Sequence, residues 1–159
     1  MNPRVYIETS VFSYLTARDS SSLTGAARQL TTRRWWERRA EFELLISEVV
    51  VRECKSGDAQ AVQRRMAALE GIPLLSLSSQ AAQIAELLLT EGIMPAKAAE
   101  DALHIAIAAV HGVDFLLSWN FKHIANPVIQ AQIAARLSQM GLALPFICAP
   151  EELLGEEDE

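Results

Sequence analysis

The chain has 159 residues, half of them hydrophobic, and a net charge of −6 at pH 7. That is enough apolar material for one core and excludes disordered, collagen-like and coiled-coil classes. Two cysteines are too few for a disulfide framework and suit a reducing compartment. No apolar run approaches the ~18 residues of a membrane helix, and the first residues lack the apolar stretch of a signal peptide. A soluble, cytoplasmic protein with no membrane contact is therefore expected.

The negative charge is unevenly placed. Residues 151–159 hold six acids and no base, which leaves 14 bases against 14 acids in the remainder. Within that neutral body Arg33, Arg34, Arg38 and Arg39 cluster around Trp35-Trp36, with Arg64-Arg65 as a second pair. Such runs are commonly solvated helix faces; beside an acidic site they also suit phosphate.

The elements alternate. Val5 to Glu8 is the first strand expected, and two helices follow it, from about Ser10 to Ala17 and from Leu23 to about Arg39, the second capped by Ser22 or Thr24. A second strand, Glu43 to Ile46, leads into a helix that Ser47 can cap. Pro73 to Leu75 is a third, short strand. Ser78 to Thr90 and Ala98 to Val110 have helical period, the latter closed by Gly112. Asp114 to Ser118 is a fourth strand, Asn126-Pro127 opens a helix that runs to Met140, and Phe146 to Cys148 is a fifth strand. Strands alternating with helices predict a mostly parallel sheet of about five strands with helices on both faces. One domain spanning 1–150 and an acidic tail over 151–159 are expected.

Such sheets place their sites at the carboxyl ends of the strands, and four residues fall there. Glu8 closes the first strand, with Thr9 or Ser10 able to cap the next helix. Glu53 shares a helix side with Val49 and Val50. Asp101 opens an Ala-rich helix so apolar that an inward acid needs a partner, whereas Glu100, rotated by about 100°, faces solvent. Asn120 follows the fourth strand. Acids gathered at one edge repel unless a cation sits among them, which points to a hard divalent metal.

These pieces, Tyr6-Ile7-Glu8-Thr9-Ser10, Ser47 through Glu53, Asp101 through Ala109 and Leu116-Leu117-Ser118-Trp119-Asn120, together resemble the PIN-domain nucleases, including the toxin component of VapC-like toxin–antitoxin pairs. The resemblance spans roughly residues 4–150. It implies a three-layer α/β/α sandwich and RNA cleavage with Mg²⁺ or Mn²⁺, leaving 5′-phosphate and 3′-hydroxyl ends. Glu8, Glu53 and Asp101 would be the metal-binding carboxylates, and Asn120 the fourth catalytic position. Thr9, Ser10, Ser118 and His104 would support them, His104 through Asp101. Arg33, Arg34, Trp35 and Arg38 would contact RNA or a partner. An antitoxin partner and a homodimer are implied in the same way.

The chain departs from the family pattern at three places. Glu8 stands for the usual Asp, Asn120 carries no charge, and His123-Ile124 replace a further Asp and Phe. One Mg²⁺ remains feasible, since it often uses only one or two carboxylates and keeps several waters. The alternative to a nuclease is a PIN-fold module whose cleavage is weakened and which binds RNA or protein. A zinc site from His104, His111 and His123 is disfavoured, because the first two lie two turns apart on one helix. Cys54 beside Glu53 lacks the basic surroundings of a nucleophile and is expected in the core.

Overall fold

A computed structural model describes residues 1–155. The first strand, β1 (Arg4–Ile7), carries Val5, Tyr6 and Ile7 with no exposure. Two helices follow, α1 (Thr9–Thr16) and α2 (Leu23–Glu37), the latter capped by Ser22, whose side chain accepts the Gly25 N–H. Strand β2 (Glu43–Ser47) then runs directly into α3 (Glu48–Cys54), where Ser47 caps Val50 as expected.

Helix α4 (Ala59–Leu69) was not foreseen. Only Leu69 of it is buried, so its apolar signal is weak. It starts instead on Asp58, whose side chain accepts the Ala61 N–H. Its two arginines are structural donors. Arg64 Nε reaches Thr16 O at 2.8 Å and Arg65 Nε reaches Cys54 O at 3.1 Å. Each thereby satisfies a carbonyl at the end of a neighbouring helix, so the pair is not a free phosphate-facing patch.

The rest follows the expected order: β3 (Leu74–Leu75), α5 (Ser79–Thr90), α6 (Ala99–Val110), β4 (Phe115–Leu117), α7 (Pro127–Gln139) and β5 (Phe146–Cys148). The 3₁₀ turn Pro150–Leu153 takes up the first part of the acidic segment, and residues 156–159 of the expected tail lie outside those described. Gly112 and Gly141 adopt φ of 62° and 75° just past α6 and α7. Left-handed backbone of that kind strains any residue bearing a Cβ.

The five strands order as β3-β2-β1-β4-β5 and every pair is parallel. Helices on both faces make a three-layer α/β/α sandwich, and a parallel sheet covered in this way is apolar on both sides. Helix α6 is accordingly buried along Ala102, Ile105, Ala106, Ile107, Ala108 and Ala109. Among the described residues no helix is long and apolar enough to cross a membrane.

The chain moves outward from β1 to β2 and β3, then returns to place β4 on the other side of β1. The connections leaving β1 and β4 therefore diverge, which opens a crevice at their carboxyl ends. The register pairs Ile7 with Leu117, and the Glu8 N–H donates to Leu117 O at 3.0 Å. Glu8 and the segment after Leu117 thus lie side by side at this crevice.

Candidate metal centre

Glu8 itself caps α1, accepting the Ser10 N–H at 3.1 Å. Thr9 and Ser10, expected as caps, turn their hydroxyls to the acids. Ser10 Oγ donates to Glu8 Oε1 and Thr9 Oγ1 donates to Glu53 Oε1. Ser118 Oγ donates to Glu8 Oε1 at 2.7 Å and accepts the Asn120 N–H at 2.9 Å. Glu8 is only 5% exposed, and this set of donors is what lets a carboxylate sit there.

Glu53 meets His104, whose Nε2 lies 2.6 Å from Glu53 Oε1. The other ring nitrogen, Nδ1, is 2.6 Å from Tyr6 Oη, which is itself 2.7 Å from Ser47 Oγ. A buried chain Ser47–Tyr6–His104–Glu53 therefore runs beneath the acids. Sequence reasoning placed His104 beside Asp101, but its hydrogen bonds go to Glu53 and Tyr6. Tyr6 was missed as a participant. Its signal was available: Tyr6 and Glu8 are two apart around the end of one strand and share a face.

The electrostatics follow from these contacts. Burial works against a charged His104, yet its bond to Glu53 and the charges of Glu8, Glu53 and Asp101 outweigh it and raise its pKa. Burial likewise opposes the Glu53 carboxylate, but the His104 bond and charge, with Thr9, hold its pKa below the ordinary value. Burial also pushes the Tyr6 phenol up, so it stays neutral. The Cys54 thiol is buried and pushed up to about 11, as befits a core residue.

Asp101 opens α6 and is partly buried. Burial first, and the charge of Glu8 second, raise its pKa against the pull of an Asn120 hydrogen bond and of His104 and His123. Asn120 has one workable orientation. Its Oδ1 accepts the backbone N–H of His123 at 3.3 Å, so its amide nitrogen is the group that bonds Asp101. Asn120 thus turns its amide nitrogen toward Asp101, and its Oδ1 keeps a second lone pair. Glu100 is exposed and pairs with Arg52 at 2.6 Å, in line with its expected outward position.

The donor set fits a hard cation. Ligand atoms of Glu8, Glu53 and His104 lie within 4.8 Å of one another, with Asp101 close enough to feel Glu8. A carboxylate offers about four lone-pair sites. Glu8 has used three, two on Oε1 and one on Oε2, and Glu53 two, both on Oε1, so Glu53 Oε2 is free and Glu8 Oε2 keeps one lone pair. Both nitrogens of His104 are engaged, which removes it as a ligand. His111 bonds Ser76 O at 3.0 Å from the far end of α6, so the three histidines do not gather for zinc. Hard oxygen ligands suit Mg²⁺ or Mn²⁺.

The arginine cluster at the end of α2 and just past it is largely committed. Arg33 pairs with Asp19 at 3.2 Å, Arg38 with Glu41 at 2.7 Å, and Arg39 stacks on Trp36. Arg34 is exposed. Trp35, expected as a contact residue, has no exposure and packs against Trp36 and Phe42. Adjacent helical residues point about 100° apart, and the core took Trp35.

Asn120→Asp would keep the acceptor for the His123 N–H and replace the amide donor by a second negative oxygen near Asp101. Mn²⁺ affinity at pH 8 is expected to rise about tenfold, since ligand charge tunes such sites, while the metal-free protein loses stability. Calorimetric titration with Mn²⁺ and melting in EDTA measure the two effects.

The architecture is that of VapC toxins. The structure of VapBC2 from Rickettsia felis bound to a DNA fragment of its promoter superposes with a TM-score of 0.57 at 13% identity, covering 92% of this chain and 98% of that one. VapC20 of Mycobacterium tuberculosis, a toxin that cleaves the sarcin–ricin loop, superposes with a TM-score of 0.58 at 17% identity, covering 74% of this chain and 91% of that one. No protein-family profile and no curated protein matches the sequence. The chain therefore has the PIN-like α/β/α fold that its sequence resembles.

Proposed function

We propose that this protein is a divalent-metal-dependent endoribonuclease of the VapC toxin type, with Glu8, Glu53 and Asp101 as its metal-binding carboxylates. The observation that carries the reading is that ligand atoms of Glu8 and Glu53, from separate elements, lie within 4.8 Å of one another at the carboxyl end of β1 in a PIN-like sheet, with Glu53 Oε2 unused, while Asp101 at the start of α6 feels the charge of Glu8. Mg²⁺ or Mn²⁺ held there would supply an acidified water and offset charge on the scissile phosphate. Ser10 and Ser118 hold Glu8 by its hydroxyl-facing oxygen, and Thr9 and His104 hold Glu53 by one oxygen, so each carboxylate presents its other edge in a fixed direction. Asn120 anchors Asp101. No serine or cysteine nucleophile is required.

The similarity to a VapBC pair supports an antitoxin partner, and the similarity to a toxin that cleaves the sarcin–ricin loop supports RNA as substrate. Arg33, Arg34 and Arg38 are assigned as contact residues for RNA or the partner, with Arg34 the exposed one among them. A homodimer in the cytoplasm completes the proposal.

The test is cleavage of a mixed structured RNA pool with Mg²⁺ or Mn²⁺ by the wild type and by Asp101→Ala, with EDTA as control. Metal-dependent cutting that vanishes in the variant is expected. RNA binding without cutting by the partner-free wild type favours a binding module, a reading that one observation supports: Asn120 brings no negative charge to the fourth position. Cutting that survives Asp101→Ala sinks the assignment.

A further inference from the structure

Beside the acids, on the loop that leaves β4, Trp119 and Phe121 face α2 and α1. Arg28 of α2 projects among them, its guanidinium carbon 5.3 Å from the Trp119 ring centre, 5.3 Å from Phe121 and 5.7 Å from Tyr14. Among the described residues its guanidinium makes one hydrogen bond, from Nη1 to Tyr14 Oη at 3.1 Å. Among the described residues no carboxylate pairs with it. A guanidinium carries five donors, so this cation is held in place by ring faces while most of its donors remain free.

The rings are fixed and coupled to the acids. Trp119 is 6% exposed, and its indole N–H donates to Thr32 Oγ1 at 2.8 Å. Its backbone N–H donates to Ser10 Oγ at 2.9 Å, the same hydroxyl that donates to Glu8. Phe121 stands edge-on to Trp119 at 5.9 Å and is 43% exposed, a large ring left in solvent. A groove of about 360 Å³ opens here between α2 and the loop, with Leu23, Thr31 and Glu151 also on its walls.

We infer that Arg28 and Phe121 form a nucleotide subsite next to the scissile bond, which takes one unpaired nucleotide of a single-stranded RNA: its phosphate on Arg28 and its base against Phe121. The inference rests on the ribonuclease reading for the identity of the neighbouring bond. Charge decides the occupant. An unpaired, preorganised guanidinium close to an acidic crevice suits a chain whose phosphates reach both a cation and a metal. An exposed aromatic ring within reach of that guanidinium suits a base, and only an unstacked base can present its face to it.

Binding of a short single-stranded RNA of mixed sequence, followed by fluorescence anisotropy in EDTA, tests the subsite without any cleavage. Phe121→Ala is expected to weaken binding about tenfold, with Phe121→Trp restoring it, because any aromatic face stacks. Arg28→Gln should weaken binding and lower the slope of log affinity against log salt by about 0.7, the contribution of one phosphate on a single strand. In cleavage, Phe121→Ala should raise KM with kcat nearly unchanged. Unchanged RNA affinity in both Phe121→Ala and Arg28→Gln overturns the subsite even if the protein cuts RNA, and so does loss of antitoxin binding with RNA affinity intact. A wild type that cuts nothing but binds RNA in a Phe121-dependent way keeps the subsite and removes the nuclease.

Discussion

Asp101→Asn is expected to abolish the rise in melting temperature that Mn²⁺ gives the wild type, while the metal-free variant melts as high as the wild type or slightly higher. The two halves have one cause. In the metal-free fold, burial and the charge of Glu8 disfavour ionised Asp101 and raise its pKa. A raised carboxyl pKa means the folded state binds the proton more tightly than the unfolded chain. Asp101 therefore costs stability at neutral pH, and that cost fades as pH falls through its folded pKa. The neutral amide removes this cost and also removes the negative oxygen that a cation would reward. RNA cleavage should fall about a thousandfold, the scale of several kcal/mol of charge stabilisation at the phosphate. Melting curves at pH 8 in EDTA and in Mn²⁺ decide the matter. A variant that keeps its metal-induced shift would show that the cation, if bound, sits elsewhere.

The pH dependence of the wild type follows with the same sign. Protons compete with metal for Asp101, so affinity for Mn²⁺ should begin to fall on acidification at a pH above that of an ordinary Asp.

His104→Ala carries the largest expected structural effect. The ring has no exposure and spans Tyr6 and Glu53. Its removal leaves a cavity and strips a donor from Glu53, at a cost of about 3 kcal/mol, or a melting temperature lower by about 10 °C. Activity should drop a further 10- to 100-fold beyond any loss of folded protein, the usual scale for a residue that orients a ligand. The pair also shapes stability against pH. His104 has a raised folded pKa, so its contribution is complete below the ordinary value of 6.5 and is lost as pH rises through the folded value. Glu53 has a lowered folded pKa, so its contribution is present above 4.5 and is lost as pH falls through the folded value. Wild type should be most stable between these limits, and the variant should lose the alkaline decline. Melting scans across pH measure this directly. An unchanged alkaline limb in the variant would show that His104 carries no charge in the fold.

The strands, most helices and the ends where the acids stand are legible in the residue pattern. Those features depend on local chemistry: alternation of apolar runs, Ser22, Ser47 and Asn126 as caps, and Gly112 and Gly141 past helix ends. The same pattern places Glu8, Asp101 and Asn120 at strand or helix ends, and the outward position of Glu100 follows from helix geometry. Helix α4 escaped because its stability comes from Asp58 and from arginines donating to distant carbonyls rather than from an apolar stripe. Tertiary structure alone decided which way each side chain turned. His104 is three residues from Asp101, yet it bonds Glu53, 51 residues away, because the β1–α3–α6 packing brings that carboxylate to Nε2 at 2.6 Å. Trp35 and Trp36 are indistinguishable in sequence, and packing against Phe42 buried the first. Arg28 lies outside the arginine cluster that composition singles out, and its rings come from α1 and the β4 loop. Hydrogen bonds and ring contacts between residues far apart in the chain leave no periodic trace, so only the assembled sheet and its crevice could show them.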